Sequence, residues 1–213
     1  GPPGNGKTTL VKEGISRALN RPFAFIALGG ATDSSFLEGH GYTYEGSLWG
    51  KIVQILMDTK CMNPIIYMDE LDKISETKHG EEIVGILTHL TDPSQNSQFH
   101  DKYFEGIDFD LSRVLFIFSY NDPLRINPIL NDRLTNIYTK GFNEKDKVKI
   151  ARDYLLPKLL ETVNLTNGDV MFDDEVINYI IKRFSSGEEG VRCLRRTLES
   201  IVQKINTLRL VSE

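Results

Sequence analysis

Gly1-Pro2-Pro3-Gly4-Asn5-Gly6-Lys7-Thr8 satisfies the pattern GxxxxGK[ST] at every fixed position. Glycines let a backbone wrap tightly enough to aim successive N–H groups at phosphate oxygens. Lys7 supplies a point charge for the β- and γ-phosphates, and Thr8 offers a hydroxyl to Mg²⁺. Thr9, Leu10 and Val11 then enter a helix whose positive end faces the phosphates. The whole pattern arises by chance in roughly one chain per hundred of this length at ordinary glycine usage. The octapeptide therefore reads as a phosphate-binding loop, with ATP and Mg²⁺ as its ligands. Such a loop follows a buried strand, so the chain, opening on Gly1, reads as a piece of a longer protein whose first strand lies upstream.

Working outward, the first 140 residues or so alternate short apolar runs with helical stretches, the texture of an α/β domain. The strand candidates are Phe23–Leu28, Ile65–Met68, Val114–Ser119 and Asn136–Thr139, each nearly continuous in apolar residues as in a parallel sheet. Beyond Asn143 strand signals vanish. Asn143 followed by Asp146 predicts a capped helix that Pro157 interrupts, and a second helix is predicted over 173–184. A last helix begins near Gly187–Glu189, where Val191, Leu194, Leu198, Ile201, Val202, Ile205 and Leu208 form one stripe. The expected organisation is a nucleotide-binding α/β subdomain over 1–141 and a small helical lid over 142–213.

Composition narrows the function. The 213 residues carry 25 basic and 30 acidic side chains, a net charge of −5, and 40% hydrophobic residues. This is the balance of a soluble globular domain. The acidic excess offers no basic face, so nucleic acid is not an expected partner. No apolar run approaches the roughly 18 residues of a membrane helix. Two cysteines without a CxxC pair argue against a zinc site or a disulfide scaffold and for a reducing, cytoplasmic-type compartment.

The run Ile65–Met68 ends in Asp69 and Glu70. An acid at a strand end can hold Mg²⁺ opposite Thr8, and the next can polarise the attacking water as general base. Asn121, just beyond the third apolar run, could orient that water, although Asn-Asp-Pro is also a turn signal.

Taken together, these segments resemble the ATPase module of Lon-type AAA+ proteins along essentially the whole chain. They include Tyr67–Lys73, Leu115–Asp122, Asn127–Leu134 and Gly187–Arg196, with Leu28-Gly29-Gly30, Asp92-Pro93, Asp108–Ser112 and Leu156-Pro157-Lys158. The resemblance implies a P-loop NTPase parallel sheet followed by an all-α lid. It also implies Asn121 as sensor 1, Arg133 as an arginine finger acting on a neighbouring subunit, and Arg192 as sensor 2. Taken alone, Arg133 reads as a surface ion pair and Arg192 as a solvated helix face. The family forms rings, hexamers by resemblance, that act on unfolded protein. Segment 39–50 corresponds to the pore loop, with Tyr44 and Glu45 at its tip, although Tyr44 reads equally well as a core aromatic. Segment 98–110 corresponds to an inserted hairpin. Departures cluster at the pore loop: Glu45 replaces an aliphatic residue and Trp49 a proline. The serine–lysine peptidase of the family has no counterpart here, and Ser75-x-x-Lys78 reads as coincidence. Alternatives are a ring ATPase that remodels without proteolysis and a DNA-directed AAA+ motor.

Overall fold

A computed structural model describes every residue except Thr32, Tyr44, Asn167 and Glu213, and the side chain of Ser212. The chain divides into two compact units, one of residues 7–137 and one of residues 1–6 with 138–213.

The first unit is built on a three-stranded parallel sheet, order β1–β2–β5, with β1 Phe23–Ala27, β2 Ile65–Asp69 and β5 Leu115–Phe118. Phe23 stands opposite Ile65, and Ile65 opposite Leu115. The middle strand is buried from Ile65 to Met68, which is why its sequence is uninterruptedly apolar. Strand periodicity sorts its residues onto two faces. Ile66 and Met68, with Ile26, pack into the larger core beneath helices α3 (Lys51–Thr59) and α4 (Lys78–Leu90). Ile65 and Tyr67 face the other way, against Val11 and Ile15 of the helical run α1 (7–19). That run is α-helical over Lys7–Thr9, π over Leu10–Ile15 and α again over Ser16–Leu19. Each fully buried aliphatic side chain in these layers contributes about 2 kcal/mol over an exposed one.

Between β1 and β2 lie α2 (Ser35–Glu38) and a closed loop over 39–50. Asp101, only 1% exposed, ties this loop to the hairpin of β3 (Phe99–His100) and β4 (Asp108–Phe109). One of its oxygens accepts the Gly50 N–H at 2.7 Å, and the other accepts that of Tyr103 at 2.9 Å. Trp49 adds an aromatic join, edge-on to Tyr103 at 5.6 Å and tilted against Phe104 at 6.2 Å. The short helix α5 (Pro128–Asn131) follows β5 and is capped by the Asn127 side chain on the Ile129 N–H.

The second unit holds α6 (144–161), α7 (Asp174–Phe184) and α8 (Arg192–Ser212), closed on Ala151, Leu160, Ile177, Leu194 and Leu198. Asn143 and Asp146 form the anticipated reciprocal cap. Pro157 does not break the helix. A π turn over Ala151–Leu155 precedes it, and this wider turn accommodates the N–H that proline cannot donate. Helix α8 starts at Arg192, later than the stripe suggested, because the Glu188 carboxylate accepts the Cys193 N–H at 2.9 Å and fixes the first turn there.

Asn136–Thr139 is not a strand. Ladder partners define a strand, and here the Asn5 side chain takes the acceptors of Thr139 instead, with 2.8 Å to its hydroxyl. Ile137 and Tyr138 are largely exposed. No helix among the described residues is long and apolar enough to cross a membrane.

Candidate nucleotide site

Within the helical unit, residues 1–6 are shaped by contacts with the turn before α8. Gly4 and Gly6 have φ of 75° and 85°, left-handed values that suit glycine and curl the loop. The Val191 N–H donates to the Gly4 carbonyl at 3.0 Å. A side chain on Gly190 would meet the Pro3 carbonyl at 2.4 Å, so glycine is required for this approach. Arg192 sits at the start of α8 with its Cβ near Gly4, its side chain exposed. Gly1 packs against Thr139, Pro2 is half-buried, and Asn5 is buried.

Within the α/β unit, Lys7 and Thr8 open α1, with Thr9 exposed behind them. Lys7 Nζ donates to Asn121 Oδ1 at 2.9 Å, so the lysine and the amide beyond β5 share one place. The Thr8 hydroxyl donates to the Tyr67 hydroxyl at 3.3 Å. Asp69, at the end of β2, accepts both the Ser119 hydroxyl and the Glu70 N–H. Thr8, Asp69 and the hydroxyls of Tyr67 on β2 and Ser119 just beyond β5 make an all-oxygen set, the donor type that Mg²⁺ prefers. Lys7 and this set, all within the α/β unit, fit a magnesium-bound phosphate.

Glu70 is exposed and left-handed, φ 63° and ψ 41°, an uncommon conformation for a side chain with a Cβ. Its neighbours impose it: the Leu71 N–H donates to the Ser119 carbonyl at 3.0 Å, and the Lys73 N–H to the Glu70 carbonyl at 2.9 Å. Gly29 leaves the room its carboxylate occupies, since a Cβ there would come within 2.4 Å of Glu70 Oε2. A strained backbone holding an exposed acid at the end of the middle strand is a conformation found where a side chain must be aimed.

Arg133 pairs with Asp92, Nη1 to Oδ2 at 2.7 Å, rather than with the groups above. Ser94 donates through its hydroxyl and its N–H to the other Asp92 oxygen. These bonds, Ser94's first and Arg133's after them, hold the Asp92 carboxyl down at about 2. Glu45 is exposed, and Tyr44 lies outside the described residues.

Sequence reasoning missed Tyr67, Ser119 and Gly29. Tyr67 passed as one more apolar residue of β2, although its two-residue spacing from Asp69 puts both on one face. Gly29 gave no signal of its purpose, because Glu70 is its neighbour only in space.

A parallel sheet with this loop before α1 and two acids ending the middle strand defines a P-loop ATPase. The sequence profile of the ATPase family associated with various cellular activities (AAA) matches residues 1–142, and the chain belongs to that family. It is an ATP-hydrolysing enzyme with a Lon-type AAA module. It is 40% identical over 207 residues to a Lon protease homolog of Acanthamoeba polyphaga mimivirus, covering 97% of this chain and 20% of that protein. It is 39% identical over 213 residues to Lon protease 2 of Bdellovibrio bacteriovorus, covering all of this chain and 26% of the relative. It is 43% identical over 205 residues to the Lon protease of Metamycoplasma arthritidis, covering 96% of this chain and 24% of that protein. The chain thus spans about a fifth to a quarter of the length of these relatives.

Proposed function

We propose that this chain is the motor module of a Lon-like ring machine that uses ATP hydrolysis to unfold and translocate protein. Gly1–Gly6 wrap the phosphates, Lys7 neutralises their charge, and Thr8 and Asp69 would hold Mg²⁺, which when bound would screen the phosphate oxygens. Glu70 accepts the proton of the attacking water, and Asn121 orients that water. Arg133 acts on the site of a neighbouring subunit, and Arg192 on the nucleotide of its own. Residues 1–141 and 142–213 serve as the nucleotide-binding and lid subdomains, in a reducing compartment. The loop over 39–50 grips the substrate through Tyr44, and a downstream peptidase of the kind the relatives' names denote would receive it.

The observation that supports the reading is the 2.9 Å contact of Lys7 with Asn121, together with a Glu70 backbone that is strained but held by its neighbours' hydrogen bonds. The test is ATP turnover of the full-length protein against Glu70→Gln. Loss of a general base costs about 10²-fold or more, and equal turnover in the two proteins refutes the reading. The exposed Glu45 favours a second possibility, a ring ATPase that remodels without threading. Tyr44→Ala separates the two: threading requires loss of unfolding with ATPase retained. ATPase stimulated by DNA rather than by unfolded protein would instead indicate a DNA-directed motor.

A further inference from the structure

We propose that Tyr67 is a positioning residue of the cation pole of the ATP site, accepting the Thr8 hydrogen bond so that the Thr8 oxygen presents its lone pairs to Mg²⁺. The inference rests on reading Gly1–Thr8 as the nucleotide loop.

A neutral hydroxyl binds a cation through its lone pairs, so its hydrogen must go to another acceptor. Thr8 gives that hydrogen to Tyr67 at 3.3 Å. The nearby Asp69 Oδ1 takes the Ser119 hydroxyl and the Glu70 N–H instead. Packing alone does not call for a tyrosine at this position. Tyr67 is 1% exposed between Val11, Ile65 and the Phe23 and Phe25 rings, surroundings that a phenylalanine would fill equally well. The hydroxyl is what distinguishes it, and a buried phenol needs partners. Besides Thr8, it interacts with the Ser119 hydroxyl and the Asp69 carboxylate, so it can accept from one side and donate to the other. The chain of hydroxyls links the P-loop to the acid of β2 and sets the orientation of Thr8 before the metal arrives.

The experiment is calorimetric titration of full-length wild type and Tyr67→Phe with ADP, once in Mg²⁺ and once in EDTA, with thermal midpoints recorded. One lost hydrogen bond predicts a fivefold to tenfold weaker Kd in Mg²⁺, roughly, and an unchanged Kd in EDTA. In addition, Thr8→Val with Tyr67→Phe should bind Mg·ADP no worse than Thr8→Val alone, because the tyrosine acts through the threonine. An unchanged Kd in Mg²⁺, or equal weakening in both media, overturns the assignment. Failure of the wild type to bind ADP at all overturns the nucleotide reading and the assignment with it.

Discussion

Adding one methyl group at Gly29 tests whether Glu70 is the general base, without touching Glu70. The new Cβ would sit 2.4 Å from Glu70 Oε2, where ordinary contact begins at 3.4 Å, so the carboxylate must retreat by about 1 Å. Its other contacts, Lys73 Cβ at 3.2 Å and Glu70 Cβ at 3.4 Å, are tolerable. The displaced group is the free end of an exposed side chain, so stability should change by about 1 kcal/mol or less. A catalytic group misplaced by about 1 Å can cost on the order of 10²-fold in rate. Gly29→Ala should therefore fold with a near-native thermal midpoint, bind ADP normally, and hydrolyse ATP about 10²-fold more slowly at saturation. Gly30→Ala is the built-in control, since a Cβ there meets nothing within 4 Å. If Gly29→Ala keeps turnover within about threefold of wild type, or if Gly30→Ala is impaired as badly, Gly29 is not holding space for a reacting carboxylate.

Glu70→Gly removes the left-handed strain and should raise stability by about 1 kcal/mol in urea melts while abolishing hydrolysis. Gly190→Ala drives a Cβ into the backbone of Pro3 and Gly4, at 2.4 and 2.6 Å, and should weaken nucleotide binding in calorimetry by tenfold or so, with a lower thermal midpoint. Asp92 is held below its ordinary 3.8, at about 2, so its contribution to stability is present above that ordinary value and is lost as the pH falls toward 2. The gap in urea midpoint between wild type and Asp92→Asn should accordingly be constant around neutral pH and close on acidification below about 4.

What the sequence disclosed follows the range of the forces involved. The middle strand was legible because burial on both faces leaves a continuous apolar run, and the Asn143 cap because its partner is three residues away. Asn136–Thr139 has a β-prone pair, Ile137 and Tyr138, yet a ladder depends on a distant neighbour, and Asn5 claims the Thr139 acceptors instead. Pro157 was misleading because a π turn, invisible to a 3.6-residue pattern, absorbs the missing donor. The fixed letters of the phosphate loop and the two acids of β2 announced themselves by type and spacing. The groups that prepare them, Gly29 for Glu70 and Tyr67 for Thr8, are defined by contacts that close only after folding.

Trp49 is the single tryptophan in these 213 residues, and it stands where the 39–50 loop meets the β3–β4 hairpin. Its indole N–H is bonded to the Gln54 side chain of α3, and two aromatic rings lie against it. Indole emission from these 213 residues, excited where tyrosine does not absorb, therefore comes from one optical reporter at the root of the loop. A stopped-flow trace of that emission on mixing with nucleotide would time any loosening of the joint without a dye, a tag or a substitution.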